Sequence, residues 1–167
     1  DGGIGIFRAD LHALRFRNSA KHMIMAEVPE EVFIESLKAY VKTNEINVPS
    51  EPGHSLYLRP LLFASDPMIK VGTSQSYKFM IMSTIAGNYF QAGKEFKAAK
   101  VLVGREFVRA FPGGTGEVKT AGNYAASINP HHQASEKGCD QVLYLDAINH
   151  EYIDEMGGMN FFAIRGN

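Results

Sequence analysis

Apolar positions recur along this chain in two rhythms, one of about 3.6 residues and one of two, and they separate candidate helices from candidate strands. Residues 3–8 (Gly-Ile-Gly-Ile-Phe-Arg) are a short apolar run that reads as a strand. Asp10 then stands where an N-cap would, opening a helix to about His22. On that helix Leu11, Leu14, Arg15 and Asn18 fall on one face, and Arg17 shares its face with Asp10 and Lys21. Pro29-Glu30-Glu31 opens a second helix, with proline in its first turn and acids at its positive end. Val32, Phe33, Leu37, Tyr40 and Val41 give it an apolar face as far as Asn44, and residues 47–54 are a loop. Ser55 to Ala64 alternates as a strand, with Leu56, Leu58 and Leu62 on one face and Tyr57 and Arg59 on the other. A second long β-prone run covers Tyr77 to Phe90.

The pattern changes over residues 87–97, which carry two glycines and turn polar, and the connection between two domains is placed there: 1–90 and 91–167. Strands follow over 99–103 and 141–145. Between them Asn123 can cap a helix to about Lys137, stopped by Gly138 and kinked at Pro130. Residues 146–150 read as a hairpin turn. The strand after it places Glu151, Ile153 and Glu155 on one face and Asp154 opposite, and after Gly157-Gly158 residues 159–164 read as a last strand. Helices and strands in this mixture make the fold class α+β or α/β.

Composition narrows the function. Of 167 residues, 45% are hydrophobic and 21% charged, the proportions of a soluble globular protein. The formal net charge of −1 offers no electrostatic case for nucleic acid or an anionic membrane. No apolar run approaches the roughly 20 residues of a membrane span. Cys139 is the single cysteine, so no internal disulfide forms, and its default reading is buried and inert. His131 and His132 are adjacent and so about 100° apart on a helix, which keeps them from chelating one metal together.

The densest chemistry lies in Gly113-Gly-Thr-Gly-Glu-Val-Lys119-Thr-Ala-Gly-Asn-Tyr124. A single lysine among four glycines is a phosphate clamp, a reactive amine or a solvated loop residue. The phosphate-binding pattern G-x-x-x-x-G-K-[ST] places Gly113 and Lys119-Thr120 in register, but Val118 stands where the last glycine is needed. Arg15, on an apolar stripe, either snorkels, pairs with a carboxylate or meets a phosphate. Tyr57 and Arg59 are a site wall or the wet face of a strand. Glu155, among Ile153, Met156 and Met159, is a paired carboxylate or an exposed edge residue.

A resemblance discriminates among these readings. Lys119-Thr-Ala-Gly-Asn-Tyr124-Ala-Ala-Ser is similar to the cofactor-lysine segment of the branched-chain aminotransferases, the fold-type IV pyridoxal-phosphate enzymes. Ile6-Phe7-Arg8, Arg15 with Asn18-Ser19-Ala20, Ser55-Leu-Tyr57-Leu-Arg59-Pro60, Gly138-Cys-Asp-Gln-Val-Leu143 and Glu155-Met-Gly-Gly-Met-Asn160 match in order and at similar spacing. The resemblance implies part of a small α/β domain followed by part of a larger β-rich pseudo-barrel domain, within a longer protein.

It also implies a function and a site. The function is transfer of the amino group of leucine, isoleucine or valine to 2-oxoglutarate, in a cytoplasmic homodimer of amino-acid biosynthesis, with small amino and 2-oxo acids as its partners. Lys119 would carry pyridoxal 5′-phosphate as a Schiff base and act as proton carrier. Arg15 would hold the phosphate, Tyr124 the phenolic oxygen side and Glu155 the pyridine nitrogen. Tyr57, Arg59, Val71, Tyr89 and Gly158 would line the substrate pocket, Val71 reaching the neighbouring subunit's site and Gly158 contacting through backbone. The rivals on the same scaffold are D-amino-acid aminotransferase and aminodeoxychorismate lyase, and outside it a non-catalytic or nucleotide-binding protein. Drift toward a cofactor-less scaffold would not spare Lys119, Arg15 and Glu155 together.

Overall fold

The computed structural model describes residues 3–87 and 98–166. The fold is α+β, and the chain divides into two compact units, Asp1–Phe96 and Lys97–Asn167.

The first unit lays two helices on one face of a β-hairpin. Helix α1 spans Ala9–His22 and α2 spans Glu30–Thr43. Strands β1 (Ser55–Ala64) and β2 (Tyr77–Ala86) pair antiparallel without interruption, from Ser55 opposite Ala86 to Ala64 opposite Tyr77. Three phenylalanines from three elements lock this arrangement. The rings of Phe16 and Phe33 are 5.2 Å apart, and each lies within 6 Å of Phe79 (5.6 and 5.9 Å). Such aromatic pairs add about 0.5–1.5 kcal/mol each beyond the area they bury. Ala13, Phe33 and Leu37 form the buried centre, with Leu58, Phe79 and Ile81 packed against it from the sheet. Tyr40 adds a polar tie, its hydroxyl 2.8 Å from Ser83 Oγ.

Two expectations fail in α1. Its core side is Ala13 and Ala20 with Phe16, so Leu11 (46% exposed) and Leu14 (39%) face outward with Arg15. Small alanines let the helix approach α2 closely, and that outweighs the larger leucines as core formers. The N-cap is Arg8, in the left-handed region at φ 49°, with no side-chain cap bond, and Asp10 sits inside the first turn, ion-paired to Arg8 at 3.6 Å. Residues 3–8 are not a strand. Gly3 and Gly5 leave one side of that run without side chains to pack, and only Ile6 reaches the core.

The second unit is a three-stranded sheet backed by a helix, in the order β3 (Val101–Gly104), β4 (Gln141–Leu145), β5 (Ile153–Met156). Strands β3 and β4 run parallel, which requires a crossover, and helices α3 (Ala121–Ala125) and α4 (Ile128–Glu136) provide it. Ala134, Val142 and Tyr144 form its core, with Cys139, half-buried, packed against them.

The single helix expected over 123–137 is therefore two. Pro130 does not kink a continuous helix. It is the third residue of α4, where its missing N–H falls among the amides that a helix start leaves unpaired, and it is buried. Gly138, at φ 67°, ends α4 as expected, and Cys139 N donates to Ala134 O at 2.8 Å. The last strand expected over 159–164 is not formed. Met156 and Met159 make one isolated bridge, and Phe162 (85%) and Ile164 (94%) are exposed. The β2 run stops at Ala86 among the described residues, and the remainder of that expectation, with Tyr89 and most of the connecting segment, lies outside them.

Phe33→Ala removes the centre of the aromatic trio and should cost about 3–5 kcal/mol in unfolding free energy. Urea denaturation of the variant checks this, and a loss below about 1 kcal/mol would show that Phe16 and Phe79 close the gap.

Candidate active site

In the second unit the residues converge on an arginine. The loop from Gly113 folds back on itself, Val118 N donating to Thr115 O (3.0 Å) and Thr120 N to Val118 O (2.9 Å). Asn123 clamps it from α3, its amide donating to Thr115 O at 2.7 Å and Val118 O at 2.8 Å. Val118 is buried (4% exposed), so the position that spoils the nucleotide-binding pattern is the anchor that turns Lys119 outward. Two of the amides a phosphate cradle would use, those of Val118 and Thr120, are already engaged.

Lys119 Nζ donates a hydrogen bond to the Tyr124 hydroxyl and lies 4.9 Å from the centroid of its ring. The guanidinium carbon of Arg109 lies 5.9 Å from the same ring. Arg109 Nε is 3.5 Å from Glu155 Oε2. A chain of contacts therefore runs Lys119–Tyr124–Arg109–Glu155, joining loop, α3 and β5. Its ends are an amine and a carboxylate, the pair of groups that the reading of Lys119 and Glu155 requires.

Arg109 was not singled out by sequence reasoning, although it carries the signal that drew attention to Arg15. It is a guanidinium within an apolar run, Phe107-Val-Arg-Ala-Phe111. Its side chain is 13% exposed, against 46% for Glu155, and its Nη1 is buried with no hydrogen-bond partner among the described residues. A buried cationic donor without an acceptor is costly, which marks Arg109 as a place where an oxygen-bearing ligand group would be welcomed.

Tyr144 lies on β4 directly opposite Glu155. Its hydroxyl is also buried and without a partner among the described residues. Burial pushes that phenol up from its ordinary value, while the Arg109 charge pulls it down and Glu155 pushes it up again. The phenol therefore stays protonated at neutral pH, a neutral floor under the Arg109–Glu155 pair.

Glu155 does not share a face with Ile153, as simple alternation would have it. Leu145 pairs with Ile153 but its neighbour Tyr144 pairs with Glu155, so the ladder skips Asp154 as a β-bulge. Glu155 consequently follows Tyr144 to one side of the sheet, and Ile153 follows Leu145 to the other. Beyond it, Gly157 N donates to Val142 O (2.8 Å), and a Cβ at Gly157 would meet His131 Nε2 at 3.0 Å. Gly158 has φ 76°, a conformation that favours glycine, which leaves its backbone as the only contact it can offer.

The other site candidates lie in the first unit, on three separate elements. Tyr57 (42% exposed) and Arg59 stand together on the outer face of β1, the guanidinium carbon 5.5 Å from the ring centroid. The cross-strand partner of Arg59 is Met82, and Met80 and Met82 are 40% and 39% exposed, so the pair sits in a partly apolar face. Arg15, exposed on α1, donates from Nη2 to His12 Nδ1 at 2.9 Å, which leaves that ring nitrogen as the acceptor. Val71 tops the loop between β1 and β2, fully exposed. That loop is closed at its base by Asp66, which accepts from Gln75 N at 2.5 Å and from Ser76 Oγ. The Ser76 hydroxyl, and then the Gln75 amide, hold the Asp66 carboxyl below its usual range. Among the described residues, no cluster of three or more His, Cys, Asp or Glu is disposed to hold a metal, and no helix is long and apolar enough to cross a membrane.

Comparison with known proteins is consistent with this geometry. The family model described as amino-transferase class IV matches residues 2–167. The branched-chain-amino-acid aminotransferase of Mycolicibacterium smegmatis is 46% identical over 168 residues, covering 100% of this chain and 45% of that protein. Branched-chain-amino-acid transaminase 1 of Bacillus subtilis is 43% identical over 167 residues, covering 99% of this chain and 47% of its own. The chain thus spans about half the length of the curated relatives it matches. Among solved structures, the T.th. branched-chain amino acid aminotransferase with pyridoxamine 5′-phosphate superposes with a TM-score of 0.74 at 27% identity, covering 90% of this chain and 47% of that one. With a family model matched almost end to end and a lysine, a tyrosine and a carboxylate linked through one arginine, the chain belongs to the class IV aminotransferases.

Proposed function

We propose that this chain is part of a branched-chain amino-acid aminotransferase, a cytoplasmic homodimer that moves the amino group of leucine, isoleucine or valine to 2-oxoglutarate with pyridoxal 5′-phosphate attached at Lys119. The observation that carries the reading is the linked set Lys119–Tyr124–Arg109–Glu155. The names of the relatives support the substrate class. The division into Asp1–Phe96 and Lys97–Asn167 supports reading a small domain followed by the cofactor-lysine domain.

The donor set fits the cofactor. Lys119 supplies an amine for the aldehyde carbon, Tyr124 a hydroxyl beside it and Glu155 a carboxylate for a protonated ring nitrogen. Arg109 Nη1, buried and without a partner among the described residues, supplies a further donor beside this set. When bound, the cofactor supplies the electron sink that weakens the bond from the substrate's α-carbon to its hydrogen.

The protein's own groups do the rest. Lys119 must act unprotonated, both as nucleophile and as the base that would take the α-proton. The Tyr124 hydroxyl holds Nζ on one side of the site. Glu155, held by Arg109, would accept from a ring N–H. Arg15 offers a planar fork to the phosphate, and orientation of this kind is a large part of catalysis. Tyr57 and Arg59 would receive the substrate side chain, the methionines beside them suiting aliphatic groups and Arg59 suiting the second carboxylate of glutamate. Val71, on its pinned loop, would enter the pocket of the neighbouring subunit, and Tyr89 would line the aliphatic pocket.

Lys119→Ala should abolish turnover of leucine with 2-oxoglutarate, and with it the visible absorbance band of bound cofactor. An assay and a spectrum of the purified protein check this, and normal turnover in the variant would end the assignment. Arg59→Ala should lower kcat/KM for glutamate and 2-oxoglutarate by about 10–100-fold, as expected for losing a charged hydrogen-bond partner, and for leucine by much less. Equal losses for both substrates would take Arg59 out of side-chain carboxylate recognition.

A further inference from the structure

Three arginines stand on or beside α1, and two of them are engaged by carboxylates. Arg8 Nε is 3.6 Å from Asp10 Oδ1, and Arg17 Nε is 3.9 Å from Glu27 Oε2. Arg15, between them in the chain, has no such carboxylate among the described residues. Its partner is the ring of His12, with Nη2 2.9 Å from Nδ1. Residues three apart are neighbours on a helix surface, so the contact needs no distortion of α1.

The contact with His12 differs in kind from the other two. A guanidinium only donates, and it keeps its proton in proteins. Nδ1 can accept from it only while bare, so the His12 ring is neutral and its proton sits on Nε2. A carboxylate orients a guanidinium and also cancels its charge. A neutral ring orients it and leaves the charge whole. The bond takes one N–H from the fork, and the others stay available to a second acceptor.

Both ends of the contact stand on fixed backbone. His12 N donates to Arg8 O at 3.1 Å, Ala13 lies in the buried centre of the first unit, and Phe16 packs against it. Arg15 itself is exposed. A long exposed side chain samples many rotamers, and a ligand that meets it must first order it. The His12 ring does part of that ordering in advance.

We propose that His12 is a positioning residue for Arg15: its neutral ring holds the guanidinium ready for the cofactor phosphate without cancelling the charge that attracts it. This deepens the proposed function and rests on Arg15 meeting that phosphate.

The test is a series of substitutions in the purified full-length protein at about pH 8, above the ordinary imidazole range. His12→Asn keeps an acceptor oxygen near the place of Nδ1. It should leave the dissociation constant for pyridoxal phosphate within about twofold of the parent. His12→Ala removes the acceptor and should raise that constant by about three- to tenfold. His12→Glu keeps an acceptor but adds the charge that the ring withholds, and should raise it further than His12→Ala does. Pyridoxal, which lacks the phosphate, should bind all four proteins alike. In an Arg15→Ala background, His12→Ala should add no further loss. Position 12 is exposed, so the variants should melt within a few degrees of the parent.

Parental affinity in His12→Ala would overturn the proposal. So would a His12→Asn protein no better than His12→Ala, a His12→Glu protein no worse than it, or pyridoxal affinity falling in step with that for pyridoxal phosphate. Each of these outcomes leaves cofactor attachment at Lys119 intact. A parent protein that binds no pyridoxal phosphate would instead end the proposed function, and this inference with it.

Discussion

The contact on which the second unit's chemistry depends is the ion pair of Arg109 with Glu155. An attraction between unit charges at 3.5 Å is worth about 5 kcal/mol at an effective dielectric of about 20. The half-exposed carboxylate is screened by water, and a net contribution of about 1 kcal/mol is the better figure. The pair matters less for stability than for geometry. The guanidinium is mostly buried, so it must find an acceptor, and its only ion-pair partner among the described residues is Glu155. By reaching Tyr124 from its other side, it sets the distance between the two ends of the site.

The first unit solves a different problem with one-sided packing. Phe16, Phe33 and Phe79 use up the inner face of the β1–β2 hairpin, and Tyr40 satisfies Ser83 there. The outer face is left with Tyr57, Arg59, Met80 and Met82, too apolar for a purely solvated surface and too polar for a core. A two-stranded sheet is marginal alone, so the helices' grip on one face is what permits the other to remain open.

What could be read from the sequence follows the range of the forces involved. The alternation in 55–64 and the capping chemistry at Pro29 and Gly138 are local, and the elements appear where they point. The face of α1 was misjudged because helix packing rewarded Ala13 and Ala20 for being small, which no hydrophobic periodicity reports. The break at Ala126-Ser127 and the harmless place of Pro130 depend on how the chain crosses from β3 to β4. Arg109 was legible in kind, as a charge in an apolar run, but not in partner. Lys119, Tyr124 and Glu155 entered through resemblance to a family, and the structure adds how they are joined. The bulge at Asp154 is invisible to alternation by nature, since it is the point where alternation fails.

Two carboxylates of the last hairpin show why an acidic residue's neighbours matter more than its identity. Glu155 is given one cationic contact and left half in water, free to meet a further donor. Asp146, nine residues earlier, is given four amides and can meet nothing else. The first arrangement keeps reactivity and gives up rigidity; the second does the reverse. The same division recurs at the lysine, where Val118 is buried and bonded to Asn123 so that Lys119 can stand at the end of the chain of contacts. Reactive groups here sit on backbone that other side chains have already immobilised, so the entropy of ordering them is met in folding rather than in each turnover.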